Sequence, residues 1–227
     1  MPNEESVERD LREHLVAAYR RLDASGVNQG TSGNLSVRLD ESRFHVTPSG
    51  IGSLSLLPED IPVMTLDGHW AGPRRPSSEW RIHRDIFLSR PDAGAIVHAH
   101  PRHAAALACL GRDIPAFHYM VAAAGGDSIR CAPYHTFGTQ ALSDGALLAL
   151  EGRRACLLAN HGIIALGHTI DAAVALAIEV ETLAAMYVSA LSIGAPNLLG
   201  ADEMARVVAI FTAYEGGNLP DDALKRI

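Results

Sequence analysis

Residues 93–100 read Ala-Gly-Ala-Ile-Val-His-Ala-His, an apolar strand that ends in two histidines. Residues i and i+2 of a strand share a face, so His98 and His100 point the same way. Pro101 follows at once and suits the first turn of a new helix, over 102–110. A second pair of apolar runs, 156–159 and 163–166, flanks Asn160-His161-Gly162. That pattern predicts a hairpin with His161 at its tip. A sheet that collects histidines at its strand ends therefore constrains the rest of the fold.

The remaining pattern mixes both kinds of element. Leu11, Leu15, Val16, Tyr19 and Leu22 recur at helical spacing and predict a helix over 6–24. Residues 35–39 alternate like a strand, and 43–47 read as its hairpin partner, closed by Pro48-Ser49-Gly50. A helix starts at Ser77 or Ser78, either of which can N-cap, and runs to about residue 89. Residues 171–193 and 202–214 complete the helices, and 217–227 read as a tail. There is no regular βαβ rhythm. The expectation is a single α/β domain over 1–227, a mixed, largely antiparallel sheet with helices on both faces.

Composition excludes several function classes. The chain has 227 residues and a net charge of −7, without a basic block. Nucleic acid and anionic membrane are poor partners for such a surface. The longest uninterrupted apolar run in the helix over 171–194 is residues 172–178, and Glu179 and Glu181 follow it. A membrane span needs roughly 20 apolar residues, so none is expected. Three widely spaced cysteines without a CxxC pair fit a reduced, cytoplasmic setting.

Zinc accepts neutral imidazole nitrogen, and a catalytic zinc commonly keeps three protein ligands and one open position. His98, His100 and His161 supply three nitrogens, while His103, beyond Pro101, is set outside the ligand group. Glu79 is a candidate fourth ligand able to leave the metal and act as a base; taken alone it is a helix-start carboxylate matching the dipole. Three stretches offer amides and hydroxyls without charge: Thr31-Ser32-Gly33-Asn34, Ser49-Gly50 and Ser77-Ser78. Such groups bind phosphate, although this is neither a Walker A loop nor a Rossmann fingerprint.

Taken in order, several segments resemble class II aldolases of the aldolase/adducin family, most closely the L-fuculose-1-phosphate aldolase group. They are Asn28-Gln29-Gly30-Thr31-Ser32-Gly33-Asn34, Thr47-Pro48-Ser49-Gly50, Pro76-Ser77-Ser78-Glu79-Trp80, His98-Ala99-His100, 114–120, 122–126, Cys131-Ala132-Pro133-Tyr134, Thr136-Phe137-Gly138-Thr139 and Asn160-His161-Gly162. The resemblance implies that Glu79, His98, His100 and His161 hold Zn2+, with Mn2+ or another divalent ion as alternatives. It implies that Asn34, Ser49, Gly50, Ser77 and Ser78 surround a substrate phosphate, with Thr31 near by. Tyr119 resembles a tyrosine that acts as an acid across a subunit interface. Phe137 and Tyr214 resemble aromatic residues on the aldehyde side. The family's homotetramer, with sites between subunits, is implied as well.

The implied reaction is reversible cleavage of a ketose 1-phosphate to dihydroxyacetone phosphate and a small aldehyde. A divalent Lewis acid stabilises the charge that develops on the ketose carbonyl and neighbouring hydroxyl. Glu79 would move the proton at the dihydroxyacetone phosphate fragment, and Tyr119 the one at the aldehyde oxygen. Fuculose, rhamnulose and deoxyribulose 1-phosphates remain open as substrates. The alternatives are a superfamily epimerase, dehydratase or decarboxylating lyase, or an adducin-like interaction module. Epimerases of this type carry Asp where Glu79 stands, and adducin heads lack the three histidines.

Overall fold

The computed structural model describes residues 4–215. Its elements follow one another in chain order. They are α1 (Glu4–Ala24), β1 (Asn34–Arg38), β2 (Arg43–Val46), β3 (Val63–Thr65), β4 (Trp70–Ala71), α2 (Trp80–Ser89), β5 (Ala95–Ala99), α3 (Arg102–Cys109), β6 (Cys131–Ala132) and α4 (Gln140–Ala149). The hairpin β7 (Ala155–Leu158) and β8 (Gly162–Gly167) follows, then α5 (Ile170–Ile193) and α6 (Ala201–Glu215). The eight strands form one sheet in the order β4-β3-β2-β1-β5-β8-β7-β6. Every pairing is antiparallel except β6 with β7. This is the mixed, largely antiparallel α/β sheet the sequence predicts.

Strand alternation sorts the core into two layers. Leu35, Val37, Ala95, Val97, Ala99, Ala155, Leu157, Ile163 and Ala165 pack with α1, α3 and α5 on one face. Ile96, Cys156, Leu158, Ile164 and Leu166 pack with α2 and α4 on the other. His98 and Asn34 are direct cross-strand partners between β5 and β1. By parity His98, Asn34 and Ser36 fall on the α2 face, so this layer carries a polar insertion within its apolar surroundings.

By length and hydropathy alone α5 could cross a membrane. Its core face, including Val174, Ala177, Val180 and Ala184, instead packs into the layer beneath the sheet. Glu181 has a local use that its sequence position does not reveal. Its carboxylate accepts the backbone N–H groups of His103 and Ala104 at 3.0 and 2.9 Å, and lies 2.8 Å from His103 Nδ1. It thereby satisfies orphan donors at the start of α3, directly after His100.

Two boundaries differ from the sequence reading. The helix expected from Ser77 or Ser78 begins at Trp80, with Glu79 at its N-cap and no side-chain cap bond. The Ser77 hydroxyl accepts the Glu79 N–H at 3.2 Å, so the serine fixes the residue before the helix. The strand expected over 93–100 is shorter, Ala95–Ala99: Gly94 still bonds to both neighbouring strands, through its N–H to Gly167 O and its carbonyl from Arg38 N–H, and Pro101 caps the next helix. Helix α4 and the short strands β3, β4 and β6 had no prediction. The tail, 217–227, lies outside the described residues.

Candidate metal centre and catalytic cleft

Three separate pieces of chain bring the metal candidates together. The β5 end supplies His98 and His100, the β7–β8 turn supplies His161, and the residue before α2 supplies Glu79. One donor atom from each lies within 4.8 Å of every other. The three imidazoles form a propeller, with ring centroids 4.8 Å apart in every pair and interplanar angles of 72–76°. Glu79 Oε2 lies 3.1 Å from His98 Nε2, and Oε1 lies 3.2 Å from His161 Nε2.

The local backbone explains this convergence. Asn160, at the hairpin tip, has φ of 54°, the only positive φ outside glycine among the described residues. Asparagine tolerates that left-handed conformation better than most residues. Gly162 follows where a Cβ would lie 2.3 Å from the Ala99 carbonyl oxygen and 2.7 Å from His100 Cδ2. Only glycine lets the hairpin press against the end of β5. His98 Nδ1 lies 2.9 Å from the Ile163 carbonyl. A carbonyl only accepts, so Nδ1 carries the proton and Nε2 keeps its lone pair for the cluster.

The charge state suits a cation. Burial alone would raise the Glu79 pKa, but the charges of His98 and His161 and the bonds from His98 and Asn34 outweigh it, and the group is held well below the usual carboxylate range. Burial and the neighbouring His98 push His100 and His161 down to about 4, so both imidazoles are neutral near pH 7. Burial also disfavours charge on His98, yet Glu79 more than offsets it and raises its pKa.

Two features test whether a divalent ion fits. Glu79 Oε1 is buried and makes no hydrogen bond, although His161 Nε2 lies 3.2 Å away. His98 Nε2 and His100 Nε2 face each other at 2.9 Å, and a lone pair against a lone pair needs a proton or a cation between them. Two neutral imidazoles, a third on His98 that becomes neutral when a cation replaces its proton, and one carboxylate match the donor set of a zinc site. Glu79, His98, His100 and His161 are thus the residues that can hold the metal.

A cleft of about 360 Å³ opens over this cluster, lined by Thr31, Ser32, Ser78, Tyr134, Phe137 and Asn160 together with metal candidates. Pro48 and Pro76 form a bridge, Ser49 N–H donates to Arg75 O, and Ser77 N–H donates to Thr47 O. Residues 47–49 therefore pair antiparallel with 75–77, which places Ser77-Ser78 directly before Glu79 and Ser49-Gly50 on the neighbouring segment. Gly50 has φ of 76°, which glycine adopts without strain. Asn34 is nearly buried, and its Nδ2–H donates to Glu79 Oε2 at 3.1 Å, so its side chain faces the metal candidates. Phe137 sits on a loop tied to α2 by Arg81 Nη1–H, which donates to Gly138 O.

The other predicted residues lie apart. Tyr119 opens a short 3-10 turn, Tyr119–Ala124, and Tyr214 lies near the end of α6; neither lines the cleft within one chain. Their side chains are 52% and 69% exposed. Tyr134, His135 and Asn160 line the cleft without a predicted role. Tyr134 belongs to the Cys131-Ala132-Pro133-Tyr134 stretch, which is the one sign of it in the sequence.

The model of the class II aldolase and adducin N-terminal domain matches residues 13–188. The chain belongs to the class II aldolase and adducin family. Among relatives of this class II aldolase, one from Rhodospirillum rubrum is named 5-methylthioribulose-1-phosphate/5-deoxyribulose-1-phosphate aldolase. It is 54% identical over 92% of this chain and 95% of its own. An L-fuculose phosphate aldolase from Escherichia coli is 47% identical over 90% of this chain and 95% of its own. A solved L-fuculose 1-phosphate aldolase superposes with a TM-score of 0.87 at 40% identity, covering 89% of this chain and 96% of the other. These relatives carry sugar-phosphate chemistry in their names, and the aldolase type of the enzyme follows from the shared family.

Proposed function

We propose that this class II aldolase is zinc-dependent and reversibly cleaves a ketose 1-phosphate to dihydroxyacetone phosphate and a small aldehyde. The observation that carries the reading is the convergence of Glu79, His98, His100 and His161 below a cleft whose lining includes uncharged Thr31, Ser32 and Ser78. A divalent cation held by those four supplies Lewis-acid polarisation of the ketose carbonyl and the neighbouring hydroxyl. Thr31, Ser49, Gly50, Ser77 and Ser78 anchor the phosphate through hydroxyl and amide groups, with Asn34 behind them. Anchoring fixes the bond to be broken and removes much of its entropic barrier. Glu79 takes and returns the proton at the dihydroxyacetone phosphate fragment, through the oxygen that makes no hydrogen bond.

Phe137 and Tyr134 give the outer side of the cleft an aromatic character that suits an aldehyde with an apolar end. L-Fuculose 1-phosphate, 5-deoxyribulose 1-phosphate and 5-methylthioribulose 1-phosphate all meet that description, and the names of the relatives support the same set. Tyr119, exposed and away from the cleft of its own chain, exchanges a proton with the aldehyde oxygen in a neighbouring copy's cleft, taking it in cleavage and returning it in condensation, and Tyr214 packs at the aldehyde side. The working unit is then a homotetramer with sites between subunits, in the cytoplasm. The test incubates zinc-loaded protein with the three ketose 1-phosphates and follows dihydroxyacetone phosphate, with and without chelator. Chelator-sensitive release supports the reading and ranks the sugars. No release from any of them, with zinc demonstrably bound, overturns it.

A further inference from the structure

A buried polar chain runs back from the metal candidates into the α2 layer, and no role assigned so far uses it. His83 is fully buried on α2, one turn after Glu79. Its Nε2 lies 2.5 Å from Asn34 Oδ1, and its Nδ1 lies 2.6 Å from Ser36 Oγ. Asn34 in turn bonds Glu79 Oε2 at 3.1 Å. One proton assignment satisfies the whole chain. A carboxylate only accepts, so Asn34 presents its N–H to Glu79 and its carbonyl oxygen to His83. His83 Nε2 must then carry the proton and donate. The remaining Nδ1 lone pair accepts from the Ser36 hydroxyl. Burial supports this neutral tautomer, with the His83 pKa pushed down to about 3.

We propose that His83 is a positioning residue that fixes the amide of Asn34 and thereby pins Glu79 Oε2, reserving Oε1 for the cation and the substrate proton. The two carboxylate oxygens are unequal in the structure: Oε2 receives the Asn34 N–H, whereas Oε1 is buried without a hydrogen bond. Without the His83 donor, the Asn34 amide could turn over and place its carbonyl against the carboxylate, a repulsive contact. Ser36 completes the device by holding His83 in the donating tautomer. Asn34 and Ser36 share a strand face, and Asn34 is the cross-strand partner of His98, so β1 is joined through this chain to α2 and β5. How Glu79 is held rests on geometry alone; what it does in catalysis rests on the aldolase reading.

The test compares His83→Gln with His83→Asn. A glutamine amide nitrogen reaches the position of Nε2 and keeps the donor; an asparagine amide reaches only that of Nδ1. Both are polar and smaller than or equal to histidine, and melting curves establish that each variant folds. Cobalt(II) and zinc affinity, measured by chelator competition, is read first because it does not depend on turnover. His83→Asn should bind metal about ten- to a hundredfold more weakly, the range for losing an outer partner of a metal ligand. Its kcat should fall by a similar factor with KM within about twofold, while His83→Gln should stay within about threefold of wild type on both counts. Ser36→Ala, the smallest change, should shift the same quantities in the same direction, by a smaller factor than His83→Asn. Wild-type values in His83→Asn, or an equal loss in His83→Asn and His83→Gln, would overturn the inference. A wild-type protein that cleaves no ketose 1-phosphate would instead sink the aldolase reading, and the metal affinities would still decide the role of His83.

Discussion

The floor and the rim of the cleft are built on different principles. The floor consists of Glu79 and three histidines, two of them ordered by a strand, one by a tight hairpin and the fourth by a helix start. Each is held by backbone or by buried partners, and His98 has no exposed surface. The rim carries Tyr134 and Phe137, while Tyr119 and Tyr214 stand on the outer face away from the cleft of their own chain, all four more than half exposed. On the proposed reading, the cation and the proton moved by Glu79 need the fixed distances of the sheet end, whereas contacts to the variable aldehyde come from exposed loops and outer helices. Changes at the floor should therefore abolish the reaction, whereas changes at the rim should redirect or slow it.

The largest expected effect comes from Glu79→Gln. Turnover should fall by about a thousandfold or more, within the range for losing a general base, while some zinc remains bound. Full activity, measured by dihydroxyacetone phosphate release, would break the division at its strongest point. His161→Ala should weaken zinc by more than about a hundredfold, beyond what loss of an outer partner costs. Metal content after dialysis against chelator checks this, and wild-type retention would move His161 out of the ligand set.

Tyr119→Phe sharpens the contrast from the other side. It should slow cleavage by about a hundredfold, as for a lost acid–base group, and leave the metal in place. Loss of metal instead would mean that Tyr119 belongs to the floor. Metal affinity should also fall with pH. Glu79 raises the His98 pKa above its ordinary value of 6.5, and a cation must displace that proton. Below this raised value affinity should drop by about tenfold per pH unit for one displaced proton. A flat zinc affinity between pH 7 and 5 would contradict that coupling. The smallest effect is expected for Phe137→Ala, which should change the preference between methyl- and methylthio-ended substrates by about tenfold. Competition kinetics between the two sugars would read it.

The same division decides how much was legible in the sequence. The His-Ala-His spacing placed two metal candidates on one strand face, and the apolar runs around His161 placed the third at a hairpin tip, because strand parity and turn glycines are local properties. Five of the helices followed from helical spacing or from local start signals such as Ser77, Ser78 and Pro101, and the mixed sheet from the absence of a βαβ rhythm. Helix α4 went unread; its sequence is apolar and carries Gly145 in its interior, so neither helical spacing nor a clear stop stands out. Asn34 resembled a phosphate contact, yet its side chain faces Glu79, because the partner that orients it, His83, lies 49 residues away in sequence. His83 itself had no local signal, since its role depends on β1 packing beneath α2. The capping of α3 by Glu181, 78 residues distant, was hidden for the same reason.

The most direct measurement is cleavage by protein stripped of metal with chelator and then titrated with zinc. Activity toward L-fuculose 1-phosphate or 5-deoxyribulose 1-phosphate should be absent in the stripped protein. It should return in proportion to added zinc and saturate at one ion per chain, with Glu79→Gln silent throughout. Undiminished cleavage by the metal-free protein would contradict a reaction centred on Glu79, His98, His100 and His161.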